Sequence, residues 1–591
     1  MNMRQYILIS FIAGIFLTSG CEKFTVGNDF LEKAPGVDVT QDTVFSTLEY
    51  AERFLWNAYY WLPYGLDYEE NGLGEKMSHE LLQDITDLSH SKMGWGGATG
   101  SYYSGTYTSS SENGSSSSKY SLGREAPYTG IRKAYIFIEN IDQVPDVDPA
   151  YRSQLKAEAR MIIAVLYSEI LRHFGGVPWV NKSFDINDNM SSLPRLTAQA
   201  TCDSIVALCD KAAVDLPLVL SNITTWDGRF TKAGAMGLKA RILLFNASPL
   251  FNDNEPYLDG EASQKNLVWH GNYDVNLWKE AADAAHELIA LIESSGSYRL
   301  YHAAGNTLRK DFQEGYLKRG NGEILISTRK LFRAATGYTF YTASYSWGAG
   351  CPTQEVVDMF PMANGAPILA AGSGYNPLNP YANRDPRLYE TVLTNGDAFQ
   401  GRTAELWIGG RERTAESGTQ AATGYIVRKF MLDHNSSTSI GGIVQWPYLR
   451  LPEIYLSYAE ADNEFNGGPS AEAYRCVNIV RSRVGLGNLP PGLTQEQFRE
   501  AILTERVCEF AVEEIRWFDL VRWKRAADFQ KQLHGMKTTR SVSTPYTYTY
   551  QLFDLPTRYW QINWSPKWYL SAWPLNEMQK QYGLIQNPGW E

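Results

Sequence analysis

Nowhere in this sequence do lysine and arginine gather into a run, and 65 acidic residues outweigh 54 basic ones for a formal net charge of -11. A nucleic-acid partner needs a basic stripe to neutralise phosphates, so that class is disfavoured. Cysteine is scarce too. Besides Cys21 there are Cys202, Cys209, Cys351, Cys476 and Cys508, an odd set with no CxxC spacing. That is no disulfide framework. The eight histidines are scattered, none near a second at metal-ligand spacing. HExxH, the P-loop, the GxSxG elbow and GxGxxG are all missing. DINDN offers Asp185, Asn187 and Asn189 at the first three positions of a calcium loop. It then has Met190 where the loop requires Gly and Leu196 where it requires Glu. On these grounds no metal ligand, no cofactor and no catalytic residue is expected.

What the chain does have is aromatic rings: 17 Trp, 36 Tyr and 24 Phe. Many Trp and Tyr lie in polar, Gly/Ser-rich stretches where a core would not put them, and exposed rings call for a flat partner. The chain also opens with a greasy leader, MNMRQYILISFIAGIFLTSGCEKF. Arg4 is positive and Tyr6 to Leu17 form an apolar run of about a dozen residues, which fits a signal-peptide core and is too short to span a membrane at roughly twenty. The run ends in Leu17-Thr18-Ser19-Gly20-Cys21. This resembles a bacterial lipobox, with Leu17 one place further from the cysteine than that pattern has it, and implies that Cys21 is acylated.

Sustained periodicity begins only near Val44, with a first helix expected through Trp61. From Pro63 to Arg124 the sequence is rich in Gly, Ser and Tyr and reads as loop; a loop of that length is functional or disordered. Helical spacing then dominates. Leu155, Ala159, Ile162, Leu166 and Ile170 mark a helix stopped by Gly175-Gly176 and Pro178. TKAGAMGLKARILLFNASPLF predicts another, with Ala and Gly at many contact positions. Glu453 to Phe465 and Ser470 to Val484 form a helix pair of tetratricopeptide character around Gly467-Gly468-Pro469. Thr494 and Gln497 have capping-box spacing and open a third helix expected to run to about Trp523. Between Glu323 and Gln445 there are only short strand-like pieces such as 323–328.

Carboxylate pairs are what a glycosidase would need, about 5 to 10 Å apart across a sugar. Glu505, Glu509 and Glu513 lie four apart on one predicted helix with Arg506 and Arg516 beside them, which reads as an ion-pair ladder. Asp67, Glu69 and Glu70 in the first aromatic loop could instead hydrogen-bond sugar hydroxyls.

Taken in order, KAEARMIIAVLYSEILRHFGGVPWV, GRFTKAGAMGLKARILLFNASPLF, PTQEVVDMFPMANG, NRDPRL, TGYIVRKF, LRLPEIYLSYAEADNE, ERVCEFAVEEIRWFDLVRWKR and the terminal LIQNPGW resemble blocks of the SusD/RagB family of surface lipoproteins of the Bacteroidota. The resemblance implies a mostly α, SusD-like fold: four tetratricopeptide-like helix pairs forming a scaffold, with an irregular loop-rich lobe for the ligand. The division would be a signal peptide over 1–20, a lipidated N-terminus and tether over 21–43, and one domain over 44–591. The scaffold would occupy mainly 44–62, 124–300 and 446–530, and the lobe mainly 63–123 and 323–445. It further implies a non-enzymatic protein, lipid-anchored at the cell surface of the outer membrane. Such a protein binds an oligosaccharide or polysaccharide and passes it to a SusC-like TonB-dependent transporter. Peptide uptake of the RagB kind and, further off, a surface glycosidase are the alternatives.

A glycan site combines rings that stack on sugar C–H faces with polar partners for hydroxyls. Two stretches meet that description. In HSKMGWGGATGSYYSGTY, Trp95 is flanked by glycines and followed by Tyr102, Tyr103 and Tyr107. In ATGYTFYTASYSWGAGCPTQ, Tyr338, Tyr341, Tyr345 and Trp347 alternate with small residues; in a strand Tyr341, Tyr345 and Trp347 would share one face. These rings and Asp67 are the candidate ligand contacts. Trp517, Trp523 and Trp590 lie in framework blocks and are expected in the core.

Overall fold

The computed structural model describes residues 41–66, 76–114, 117–185, 187–188, 191–331, 339–434 and 443–591. The expected leader, Cys21 and most of the tether lie outside the described residues, as do Asp67 and Tyr338.

Helices carry the frame. They are α1 (Leu48–Tyr59), α2 (Pro127–Asn140), α3 (Pro149–Phe174), α4 (Ala198–Asp215), α5 (Lys232–Ala247), α6 (Asn276–Ser295), α7 (Leu308–Leu317), α8 (Leu451–Asn466), α9 (Ala471–Arg483), α10 (Gln495–Phe510) and α11 (Ile515–Arg522). Each of α1/α2, α3/α4, α5/α6 and α8/α9 packs as a pair, and α2 meets α3, α4 meets α5 and α6 meets α8. Four helix pairs therefore stack in series, each burying its apolar face on the next.

The sequence explains these elements locally. Asp148 caps α3 by accepting the Tyr151 amide, Pro149 sits at the first helical position, and Gly175 ends the helix at φ 80. A side chain at Gly175 would meet Val268 at 2.7 Å, so the stop is also a packing contact. From Ala157 to Phe174 α3 is buried on nearly every side, as is α5, and these two are the spine of the main core. Thr494 and Gln497 make the capping box that opens α10. The helix does not continue to Trp523, however. It stops at Phe510, and after a turn containing Val512 (φ 72) and Glu514 (φ 59) α11 begins at Ile515.

Strands are short and paired in twos. β1 (Ser89–His90) pairs antiparallel with β3 (Cys351–Pro352), β2 (Ile324–Leu331) with β4 (Ile443–Arg450), and β5 (His534–Arg540) with β6 (Tyr548–Asp554). The β2–β4 ladder lies against α5, whose Gly234 and Gly237 let it close in. Residues 63–66, 76–123 and 339–434 hold no helix longer than six residues among those described. They form a lobe whose second core gathers Val356, Phe360, Leu388 and Tyr425 around Val507 and Cys508 of α10. Among the described residues no helix is long and apolar enough to cross a membrane.

Candidate functional site

Two loops more than 250 residues apart in sequence are stitched together in the lobe. The β1–β3 ladder aligns Ser89 with Pro352 and His90 with Cys351. Around it the Thr353 amide donates to the Leu88 carbonyl at 3.0 Å, the Thr353 hydroxyl donates to the Asp87 carbonyl at 2.6 Å, and the Lys92 amide donates to the Gly348 carbonyl at 3.0 Å. Asp84 is the buried rivet. Its carboxylate accepts from the Leu81 amide (2.9 Å), the Ser89 hydroxyl (2.7 Å) and, across the seam, the Gly350 amide (3.2 Å). Burial outweighs these donors and pushes its pKa up to about 6.

The seam brings Trp95 and Trp347 into contact. Their ring centroids are 5.4 Å apart with planes at 65°, and His79 closes the third side, 5.6 Å from Trp95 and 6.0 Å from Trp347. The three rings make a corner rather than a flat shelf, with the two indoles edge-to-face. Trp95 is 56 % exposed. Trp347 is half-buried and rests on a small cluster of Met93, Ala343 and Ala349.

Close packing explains the two glycines that follow Trp95. A side chain at Gly96 would stand 2.1 Å from the Glu80 carboxyl carbon, and one at Gly97 would stand 2.8 Å from the Met77 backbone. The chain from Met77 to Glu80 lies directly beneath, and its Met77, Ser78 and His79 take φ of 48°, 52° and 74°. Three consecutive non-glycine residues in the left-handed region are costly and persist only where packing imposes them. Here they aim His79 at the two indoles. Glu80, buried under the loop, accepts the Ala98 amide, and its pKa is raised by desolvation and by Asp84.

The remaining predicted rings fall into two groups. Tyr341 and Tyr345 stack on each other at 5.5 Å and 22°. They do so as neighbours four apart in a helical turn, because Thr339–Thr342 and Ala343–Trp347 form consecutive helical turns. The expected strand face is thereby corrected: Trp347 does not share a face with them at period two. The Tyr341 ring is buried and its hydroxyl accepts from Gln400 at 3.3 Å, while Tyr345 is half-buried and donates to Glu412 at 3.2 Å. Burial and Glu412 raise the Tyr345 pKa to about 12. Arg402, also bound to Glu412, adds a partly exposed guanidinium beside this pair.

Tyr102 and Tyr107 are corrected outright. Both are fully buried, stacked at 4.8 Å, with Tyr102 facing Trp560 and Trp568 and Tyr107 edge-on to Trp590 at 5.2 Å. They are the floor on which the C-terminal segment packs. Tyr103 is also structural. Its hydroxyl donates to the Asp84 carbonyl at 2.5 Å and accepts the Ser91 amide, while its ring stacks on His90 at 5.0 Å under the Arg558 guanidinium. Trp517 and Trp590 are in the core and Trp523 is half-buried on Trp278. His79, Gln400, Arg402 and Glu412 were not singled out from sequence, since nothing in their own surroundings separates them from other loop residues. Among the described residues no three His, Cys, Asp or Glu side chains gather as a metal would require.

The mostly helical scaffold with its loop-rich lobe has the α SusD-like fold. Comparison with known proteins gives the same answer. The sequence model of the SusD family matches residues 327–590, and a SusD-like model described as starch-binding and associating with the outer membrane matches residues 67–244. The chain belongs to the SusD/RagB family of the Bacteroidota. A SusD-like protein of Formosa agariphila is 24 % identical over 440 residues, covering 70 % of this chain and 74 % of that protein. A crystal structure of a SusD-like protein from Bacteroides fragilis superposes with a TM-score of 0.72 at 24 % identity, over 94 % of this chain and 100 % of the other. Surface glycan-binding protein A from Bacteroides fluxus superposes at 0.58 and 18 % identity, over 92 % and 100 %.

Proposed function

We propose that this protein captures an oligosaccharide or polysaccharide at the cell surface and hands it to a SusC-like TonB-dependent transporter, held at the outer membrane by lipid on Cys21. The observation that carries the reading is the Trp95–Trp347 corner. A half-exposed indole is kept open by glycines and strained backbone, braced by a second indole and a histidine, on a lobe whose other rings are mostly buried. Glycan-binding relatives with this fold support the same role. The carboxylates that would serve a glycosidase favour binding over hydrolysis: Glu505, Glu509 and Glu513 are each held in buried ion pairs with arginine or lysine.

The test is calorimetry against a glycan panel with melting temperatures on the same preparations. Trp95→Ala and Trp347→Ala should each lower affinity at least about tenfold, since a desolvated stacking ring is a hot spot worth about 2 kcal/mol. Trp95→Ala should leave the melting temperature nearly unchanged. Affinity lost only in step with unfolding would make these rings packing residues, and retention of a tryptic peptide mixture in place of any glycan would favour peptide uptake. For the anchor, Cys21→Ala should release folded protein from the outer-membrane fraction; continued retention would count against lipidation.

A further inference from the structure

We infer a second sugar-stacking site, at a groove on the outer side of α1 that shares no lining residue with the Trp95–Trp347 corner. The inference rests on the glycan reading above and extends it from one contact to two along one polysaccharide.

The groove has a volume of 760 Å³, within the range of ligand sites. One wall is α1, whose core-facing stripe is Ala51, Leu55 and Ala58. Trp56 follows Leu55 by one position and is therefore turned about 100° off that stripe, toward the groove. The short helix Ile223–Trp226 brings Trp226 alongside, with ring centroids 6.5 Å apart and planes within 29°. Unlike at the first site, the two ring planes are near-parallel rather than edge-to-face, which gives the groove an aromatic shelf for sugar faces. Both rings are half-buried.

The shelf is held before any ligand arrives. The Arg229 guanidinium packs 5.2 Å from Trp56 and 4.6 Å from Trp226, and Glu158 fixes it with contacts of 2.5 and 2.9 Å. Cation–π contact to a buried, paired arginine locks the rings, so binding pays little to order them. The facing wall is the β2 segment from Ser327 to Lys330. It supplies polar groups at fixed positions: Arg329 pairs at 2.7 Å with Asp227, which follows Trp226 on the first wall, and donates to the Ser327 hydroxyl at 3.2 Å. Flat rings beside the Asp227 carboxylate on one side, and a guanidinium and hydroxyl on the other, match the C–H faces and hydroxyls of a glycan.

The experiment begins with gel retardation of the full chain by starch, xylan, galactomannan, laminarin and polygalacturonate. A hexasaccharide cut from the polysaccharide that retards it most is then titrated calorimetrically. Wild-type protein should take up two hexasaccharides, the Trp56→Ala/Trp226→Ala variant one, and the Trp95→Ala/Trp347→Ala variant one. Affinity for the intact polysaccharide should fall at least tenfold in each, because either loss abolishes two-point attachment. Thr225→Trp keeps both rings and fills the groove from its exposed rim, so it should lower the stoichiometry to one even if the double variant is unstable. One hexasaccharide per wild-type chain, lost with Trp95 and Trp347 and untouched by Thr225→Trp, overturns the second site and leaves the proposed function standing. No retardation by any of the five polysaccharides overturns both.

Discussion

Asp84 joins the two loops of the aromatic corner, and its ionisation should register in stability. In the folded state burial pushes its pKa up to about 6, above the roughly 3.9 of an unfolded aspartate. A raised folded pKa means that the native state binds the proton more tightly. The contribution is thus fully present below about pH 4 and is lost as pH rises through 6. Asp84→Asn has nearly the same shape and cannot titrate. Urea unfolding at pH 4, 5, 6 and 7 should show the wild-type advantage over the variant shrinking by on the order of 2 kcal/mol. A difference constant across that range would mean Asp84 does not titrate as described. The exposure of Trp95 was legible at this scale because glycines on both sides leave a large ring nothing of its own loop to pack on. Tyr102 and Tyr107 were not: they lie in the same Gly/Ser-rich loop, but the Trp560, Trp568 and Trp590 rings that cover them come from the far C-terminus.

Among elements, α5 tests how closely a helix is fitted to its sheet. A methyl at Gly234 would stand 2.8 Å from the backbone oxygen of Leu325, whereas one at Gly237 would stand 2.8 Å from a Leu449 methyl. Alanine is the better helix former by about 1 kcal/mol at either position. A backbone carbonyl in the β2–β4 ladder has no rotamer to retreat into, but a leucine methyl does. Gly234→Ala should therefore lower stability by about 1 to 2 kcal/mol net, on the cost of overpacking a close contact, and Gly237→Ala by less. Equal melting temperatures for the two variants would refute the distinction. The long helices were legible because 3.6-residue periodicity persists over many turns. Residues 339–347 were not, because Tyr341 and Tyr345 fit a helix at spacing four as well as a strand at spacing two. The break after Phe510 lacks Gly or Pro; it is imposed from outside, by partners that draw Glu513 toward Arg450 and Arg516 toward Asp87.

At the scale of the whole molecule, lobe and scaffold are joined through charge. Glu509 of α10 meets three guanidiniums from three places: Arg387 of the lobe at 3.1 Å, Arg450 at the end of β4 at 2.9 Å and Arg483 at the end of α9 at 2.5 Å. Arg387 also holds Asp385 and Glu505, and Arg450 and Arg483 share Glu323. The four-residue spacing of Glu505, Glu509 and Glu513 suggested a ladder with Arg506 and Arg516 on one helix. Those two arginines instead serve Asp519 and Asp87, and the actual partners come from other elements, which local spacing does not reveal. Burial alone would raise the Glu509 pKa, but Arg483, Arg450 and Arg387 outweigh it and hold the carboxyl well below the usual carboxylate range. A depressed folded pKa contributes stability that is present above the unfolded value, near 4.3, and is lost as pH falls below it. Glu509→Gln keeps the shape and removes the charge, leaving three buried guanidiniums short of one anion. Breaking a buried pair from one side costs about 3 to 5 kcal/mol, so that is the expected loss at pH 7 in denaturant unfolding. On acidification the gap between wild type and variant should narrow, because protonation takes from the wild type what the substitution has already removed. A variant as stable as wild type at pH 7, or a gap that widens below pH 4, would show that the joint between lobe and scaffold is carried by packing and not by this network.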